Sequence, residues 1–97
     1  MPVTVFLELH FQPSAVAHAR EVMGRALQDT RAFAGNIGTE VLIDEDDETH
    51  WVISEVWESV EHDEAYRAFR AGAGKLAELP SLLSAPPKKT RYVTSDV

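Results

Sequence analysis

Residues 54–69, SEVWESVEHDEAYRAF, bring together a carboxylate, an imidazole, a phenol and a guanidinium in Glu55, His62, Tyr66 and Arg67, interleaved with the rings of Trp57 and Phe69. A carboxylate or imidazole with a tuned pKa is what removes a proton from a phenol or an activated carbon. A tyrosine hydroxyl and an arginine suit the task of orienting or stabilising the resulting anion. Glu55 is the residue that packing explains least, because its same-face neighbours along a strand, Ile53 and Trp57, are apolar. A carboxylate in such company is costly unless paired or protonated, so Glu55 is expected to find a donor or to hold a raised pKa. His62, Tyr66 and Arg67 are its candidate partners. Each residue also has a plainer reading. Aromatic rings at this spacing pack a core, His62 can sit at the rim and complement the first helical turn, and Glu55 can be an anchor.

Two elements must position these groups. WVISEVWE alternates, which puts Trp51, Ile53, Glu55 and Trp57 on one face of a strand. Ser59 is the N-cap of the helix that follows, whose early Glu61, Asp63 and Glu64 complement its dipole. On that helix His62, Ala65, Tyr66, Phe69 and Ala73 form the expected inward stripe, since residues three and four apart are neighbours. Gly72 and Gly74 each cost about 1 kcal/mol inside a helix, which predicts a break there and a short helix over 75–79.

The remaining elements follow from the same patterns. Val3, Val5, Leu7, Leu9 and Phe11 share one face of a first strand, stopped by Pro13. Ser14 is the expected cap of a helix carrying Val16, Ala19, Met23, Ala26, Leu27 and Thr30 inward as far as about Phe33. AGNIG is turn chemistry, with Gly35, Asn36 and Gly38 able to take positive φ. Ile37, Thr39, Val41 and Ile43 then alternate as strand two, DEDDETH turns the chain into strand three, and KKTRYVTS supplies a last strand. The order β-α-β-β-α-β predicts one domain over residues 1–97, an α+β ferredoxin-like sandwich with strands one and three central. Helices then cover one sheet face. Phe6, Leu42, Val52 and Val56 stand among Glu8, His10, Glu40, Ser54 and Glu58 on the other, a patch apolar enough to expect a partner, here a second copy.

Composition narrows the chemistry. Sixteen acidic against nine basic residues give a formal charge of -7, which disfavours nucleic acid and anionic membranes as partners. Absence of cysteine removes disulfides, thiolate nucleophiles and cysteine-held metals. The N-terminal MPVTVFLELHF has no basic region or small-residue cleavage site, so a cytoplasmic location is expected. His10, His18 and His50 are scattered without metal-site spacing, and DEDDE lacks the alternation and glycine of a calcium loop, so no metal is expected. No nucleophile elbow, phosphate-binding glycine loop or dinucleotide fingerprint occurs.

The proline-stopped first strand, TRAFAGNIGTEVLID, SEVWES and HDEAYRAF together resemble the antibiotic biosynthesis monooxygenase family over roughly residues 3–95. The resemblance implies a dimeric α+β barrel, in which two sheets pack face to face and pockets lie between sheet and helices. It also implies oxidation of polyphenols or quinols without a cofactor, or haem degradation. Glu55 and Trp57 match the Glu-x-Trp of the family's third strand, and FAGNIG matches its proline-glycine turn with Ala34 in place of proline. The haem-degrading branch resembles a sheet asparagine with a helix-two tryptophan and histidine. Here those places read Leu7, Tyr66 and the histidine-free AGAGKLAEL.

The expected function is a small homodimeric monooxygenase acting on an aromatic, phenolic or quinol substrate without metal or flavin. Glu55 or His62 is the base, Tyr66 and Arg67 hold the anion, and Leu7, Trp57 and Phe69 form the apolar wall. The alternatives are a non-catalytic ligand-binding or assembly domain, and a polyketide cyclase or isomerase.

Overall fold

Alternation at the start of the chain becomes β1 (Val3–His10). The computed structural model describes residues 1–97. Pro13–Ala15 forms a 3-10 turn that leads into α1 (Val16–Ala32), followed by β2 (Asn36–Asp44), β3 (Asp47–Trp57) and α2 (Val60–Ala71). The short α3 (Leu79–Leu82) and then β4 (Lys88–Val93) complete the chain. The sheet is antiparallel with order β2-β3-β1-β4, so β1 and β3 are central, and the architecture is the expected α+β ferredoxin-like sandwich. No helix is long and apolar enough to cross a membrane.

Both long helices cover the same sheet face. Ala19, Val22, Met23 and Leu27 of α1 pack with Leu9, Phe11, Trp51, Ile53 and Leu82 in the larger core cluster. A second cluster joins Val3, Val5 and Trp57 to Tyr66 of α2, with Phe33, Val60 and Phe69 packed against it. Trp57 is fully buried, and its truncation to alanine would cost about 3–5 kcal/mol.

Local details depart from the sequence expectations for identifiable reasons. Ser14 does not cap α1; the N-cap is Ala15 and makes no side-chain hydrogen bond, because Pro13 starts the 3-10 turn first. Ile37 leaves the face of Thr39 and Val41 and is exposed, since the β2 register shifts between Asn36 and Gly38. The short helix expected over 75–79 forms instead at Leu79–Leu82, where Pro80 occupies the first turn that proline favours. Ala65 and Ala73 are exposed, not inward. Of Gly35, Asn36 and Gly38, only Gly35 has a positive φ, 89°. A Cβ there would collide with the His62 ring, so that position needs both the conformation and the missing side chain of glycine.

Candidate active site

The register of β3 against its neighbours fixes the position of Glu55, which lies opposite Val5 of β1 and Thr39 of β2 on the helix-covered face. Its side chain is 2% exposed. The carboxylate finds two donors: Trp57 donates from Nε1 to Oε1 at 3.1 Å, and Arg67 donates from Nη2 to the same oxygen. Oε2 takes no protein hydrogen bond. No fully buried side-chain oxygen lacks a partner, so Oε2 opens onto the cavity that Glu55 lines.

Arg67 also donates from Nε to Asp63 Oδ1 at 2.9 Å, one helical turn earlier. Asp63 is completely buried, and its other oxygen accepts from Lys89 at 2.8 Å and Arg91 at 3.1 Å, both on β4. Lys89 stands opposite Leu7 and Arg91 opposite Val5, so β4 turns these cations toward the helices. Burial works to raise the Asp63 pKa, but hydrogen bonds from Lys89, Arg67 and Arg91 outweigh it and hold the group below its usual 3.8. Two carboxylates and three cations thus form one chain, Glu55–Arg67–Asp63–Lys89/Arg91.

A second polar group lies one turn along α2. Arg70 donates from Nε to the Tyr66 hydroxyl at 2.6 Å, and from its other nitrogens to Ala26 O at 2.7 Å, Gly74 O at 3.0 Å and Thr30 Oγ1 at 3.3 Å. Thr30 directs its hydroxyl at Ala26 O, 3.2 Å away, so the Tyr66 hydroxyl is assigned as the donor to Thr30. Between these groups and the sheet lies a cavity of about 310 Å³. Its apolar wall includes Leu7, Met23, Leu27, Ile53, Leu76 and Leu79, and its polar groups are Glu55, Thr30, Tyr66, Arg67, Arg70 and Lys75. An apolar cavity with a few convergent polar groups is the usual form of a small-molecule site. Three cations beside one carboxylate favour an anionic or acidic guest.

Leu7, Glu55, Tyr66 and Arg67 therefore meet at one cavity, whereas Trp57, His62 and Phe69 do not line it. Trp57 lies behind Glu55, and its ring centroid is 4.9 Å from that of Tyr66. Phe69 packs against Phe33, with centroids 5.4 Å apart. The sequence places both in the cavity wall; they instead form the aromatic cluster that backs it. His62 completes the N-cap: Ser59 Oγ accepts from the His62 backbone N–H at 3.2 Å and lies 2.7 Å from its Nδ1, and the ring stands over Gly35. Nothing in the sequence marks Arg70, Lys89 and Arg91 as belonging to the site, and it offers Thr30 only as an inward helix residue and Asp63 only as a first-turn charge. The i, i+3, i+4, i+7 spacing of Asp63, Tyr66, Arg67 and Arg70 marks the face of α2 turned to the sheet, a stripe that is polar instead of apolar.

On the opposite sheet face, the register sets His10 beside His50, with rings stacked at 4.5 Å and 2° between planes. This corrects the reading of the histidines as scattered. Hydrogen bonds to Asp44 and then to Glu8 hold the His50 pKa above its usual 6.5.

An antiparallel four-stranded sheet with helices on one face, and between them an apolar cavity with a buried acid and cations, define an α+β ferredoxin-like fold. The model of one family, antibiotic biosynthesis monooxygenase, matches residues 2–74, and the chain belongs to that family. Among solved structures, the chain is similar to Rv0793 from Mycobacterium tuberculosis, with TM-score 0.86, 22% identity, and coverage of 100% of this chain and 98% of that one. A variant of SnoaB, a cofactor-independent oxygenase from Streptomyces nogalater, superposes with TM-score 0.83 at 16% identity, covering 99% of this chain and 95% of that one. A conserved protein from Methanosarcina mazei gives TM-score 0.85 at 14% identity, covering 98% and 94%. At these identities the structural likeness concerns the fold. No curated protein matches the sequence.

Proposed function

We propose that the protein is a small monooxygenase that oxidises an acidic aromatic substrate, a phenol or quinol of polyketide type, with molecular oxygen and no cofactor in the electron path. The observation that carries this reading is the division of labour within the Glu55 carboxylate. Oε1 is held by Arg67 and Trp57, while Oε2 is left free beside an apolar cavity. A base with one anchored oxygen and one free oxygen is oriented for proton transfer.

Glu55 takes the proton from the phenol or from a methylene activated by it. Arg67 stabilises the resulting anion in a site where apolar walls exclude water and strengthen electrostatics. The anion then passes an electron to oxygen and the two radicals combine, forming a C–O bond. Loss of water, with the proton returned from Glu55, converts the methylene to a carbonyl: CH₂ and O₂ become C=O and H₂O. No external reductant enters this balance. Tyr66, fixed by Thr30 and Arg70, orients the ring, and Leu7 and Ile53 form its floor.

The FAGNIG turn, the SEVWES strand end and membership of the family support the reading. The open sheet face, where Phe6, Leu42 and Tyr92 are 39%, 48% and 49% exposed, is the surface through which two copies associate in this proposal.

The test is oxygen uptake with a panel of anthrones and hydroquinones. Uptake by the wild type, reduced at least about 100-fold in Glu55→Gln, is the expected result. Uptake unchanged in that variant would remove Glu55 as base. Turnover without oxygen consumption would identify a cyclase or isomerase, and binding without turnover a ligand-binding domain.

A further inference from the structure

We propose that Glu8, His10 and His50 form a binding site for a divalent first-row cation of zinc type, on the sheet face opposite the cavity. The site arises from strand pairing. Phe11 donates its backbone N–H to Thr49 O at 2.8 Å, so the adjoining His10 and His50 form a non-hydrogen-bonded pair, the position at which antiparallel side chains come closest. Glu8 lies two residues before His10 and so projects from the same face.

The three side chains converge. Their ligand atoms all lie within 4.8 Å of one another. His50 Nε2 is 3.2 Å from Glu8 Oε2, and His10 Nε2 is 3.6 Å from Glu8 Oε1. In a tetrahedral site with metal–ligand bonds of about 2.0–2.1 Å, ligand atoms stand about 3.4 Å apart. His50 and His10 approach the two oxygens of the one Glu8 carboxylate at close to that spacing, so a small rotation of the carboxylate brings both imidazoles toward a shared cation. The stacked rings must turn about their side-chain torsions to aim both lone pairs at one point. The side chains of His10 and His50 are 40% and 26% exposed, which leaves them room to do so.

A second observation points the same way. His50 Nδ1 lies 3.1 Å from Asp44 Oδ2, an arrangement in which Nδ1–H donates to the carboxylate and Nε2 carries the lone pair for a ligand bond. Metal-bound histidines are commonly oriented by such a carboxylate. Two imidazoles and one carboxylate favour zinc, nickel or cobalt over calcium and magnesium, which take oxygen ligands. Solvent supplies the fourth position.

None of these residues lines the cavity, so the proposal does not depend on Glu55 as base, although Glu8 and His10 share the open sheet face with Phe6 and Leu42, through which two copies associate in the proposed function. Calorimetric titration of the full chain with Zn²⁺ tests it, with Co²⁺ absorption as an independent reporter of nitrogen ligands. The expected result is one cation per chain, weakened at least about 100-fold in His10→Ala and His50→Ala, about 10–100-fold in Asp44→Asn, and unchanged in His18→Ala. Circular dichroism confirms that each variant folds. Broadening of the His10 and His50 ring resonances by Co²⁺ in the wild type needs no variant at all. The proposal is overturned by absence of binding, by wild-type affinity in either alanine variant, by one cation per two chains, or by Ca²⁺ binding as tightly as Zn²⁺, which would place the cation on the carboxylates of the hairpin tip.

Discussion

Replacing Asp63 with asparagine removes one buried negative charge and leaves Arg67, Lys89 and Arg91 facing a neutral amide of the same shape. The carboxylate accepts three charge-assisted hydrogen bonds. Each such bond contributes about 1.5–3 kcal/mol, and losing one partner of a buried ion pair costs about 3–5 kcal/mol. The cations are 25–35% exposed and recover part of that from water, so the lower range applies. Asp63→Asn should therefore destabilise the fold by about 2–4 kcal/mol at pH 7, or roughly 10–25 °C in melting temperature for a chain of this size. The pH dependence follows from the lowered native pKa. Between the native and unfolded values the unfolded chain binds more protons, so the stabilisation is complete above the unfolded pKa. It is lost as pH falls through the native one. Urea unfolding of wild type and variant, followed by circular dichroism from pH 7 to pH 3, should give a difference that shrinks below about pH 4. A difference as large at pH 3 as at pH 7, or a loss below about 0.5 kcal/mol at neutral pH, would refute the assignment of Asp63 as the charged centre of the network.

Three further perturbations address other parts of the structure. Gly35→Ala forces a side chain into a positive-φ position against the His62 ring and should cost about 2–4 kcal/mol in urea unfolding, of which His62→Ala in the same chain restores the steric share. Trp57→Phe keeps the ring but deletes the Nε1 donor to Glu55, and should cost about 1–3 kcal/mol by the same measurement; a neutral result would mean that Arg67 alone anchors the carboxylate. If the open face joins two copies, Phe6→Glu should raise the dimer dissociation constant at least about 30-fold in sedimentation, with the monomer still folded.

The strands were legible because each central one is buried on a single face, so alternation of residue type reports directly on side-chain direction. Alternation alone puts Glu55 on the face of Ile53 and Trp57, and the register against Val5 and Thr39 agrees. In helix α2 the pattern holds only in part. An amphipathic pattern assigns charge to solvent, so Ala65 and Ala73 are expected inward with Tyr66 and Phe69; the two aromatic rings are packed there, but Ala65 and Ala73 are exposed and Asp63, Arg67 and Arg70 take the inward places. The error has a physical source: the partners that make Asp63 tolerable in the interior, Lys89 and Arg91, arrive from β4, and no local periodicity reports them. His10 and His50 escaped for the same reason, being neighbours only through the pairing of β1 with β3.

Arg67 divides its guanidinium between Glu55, at the cavity, and Asp63, whose other oxygen holds β4. An anion entering the cavity competes for that guanidinium, and any weakening of its hold on Asp63 loosens one tie between the helix and the sheet's edge strand. By thermodynamic reciprocity, a shift of that strand changes the cavity's affinity for the anion by the same factor. One side chain thus ties the carboxylate at the cavity to the edge strand of the sheet, with no hinge or lid in between.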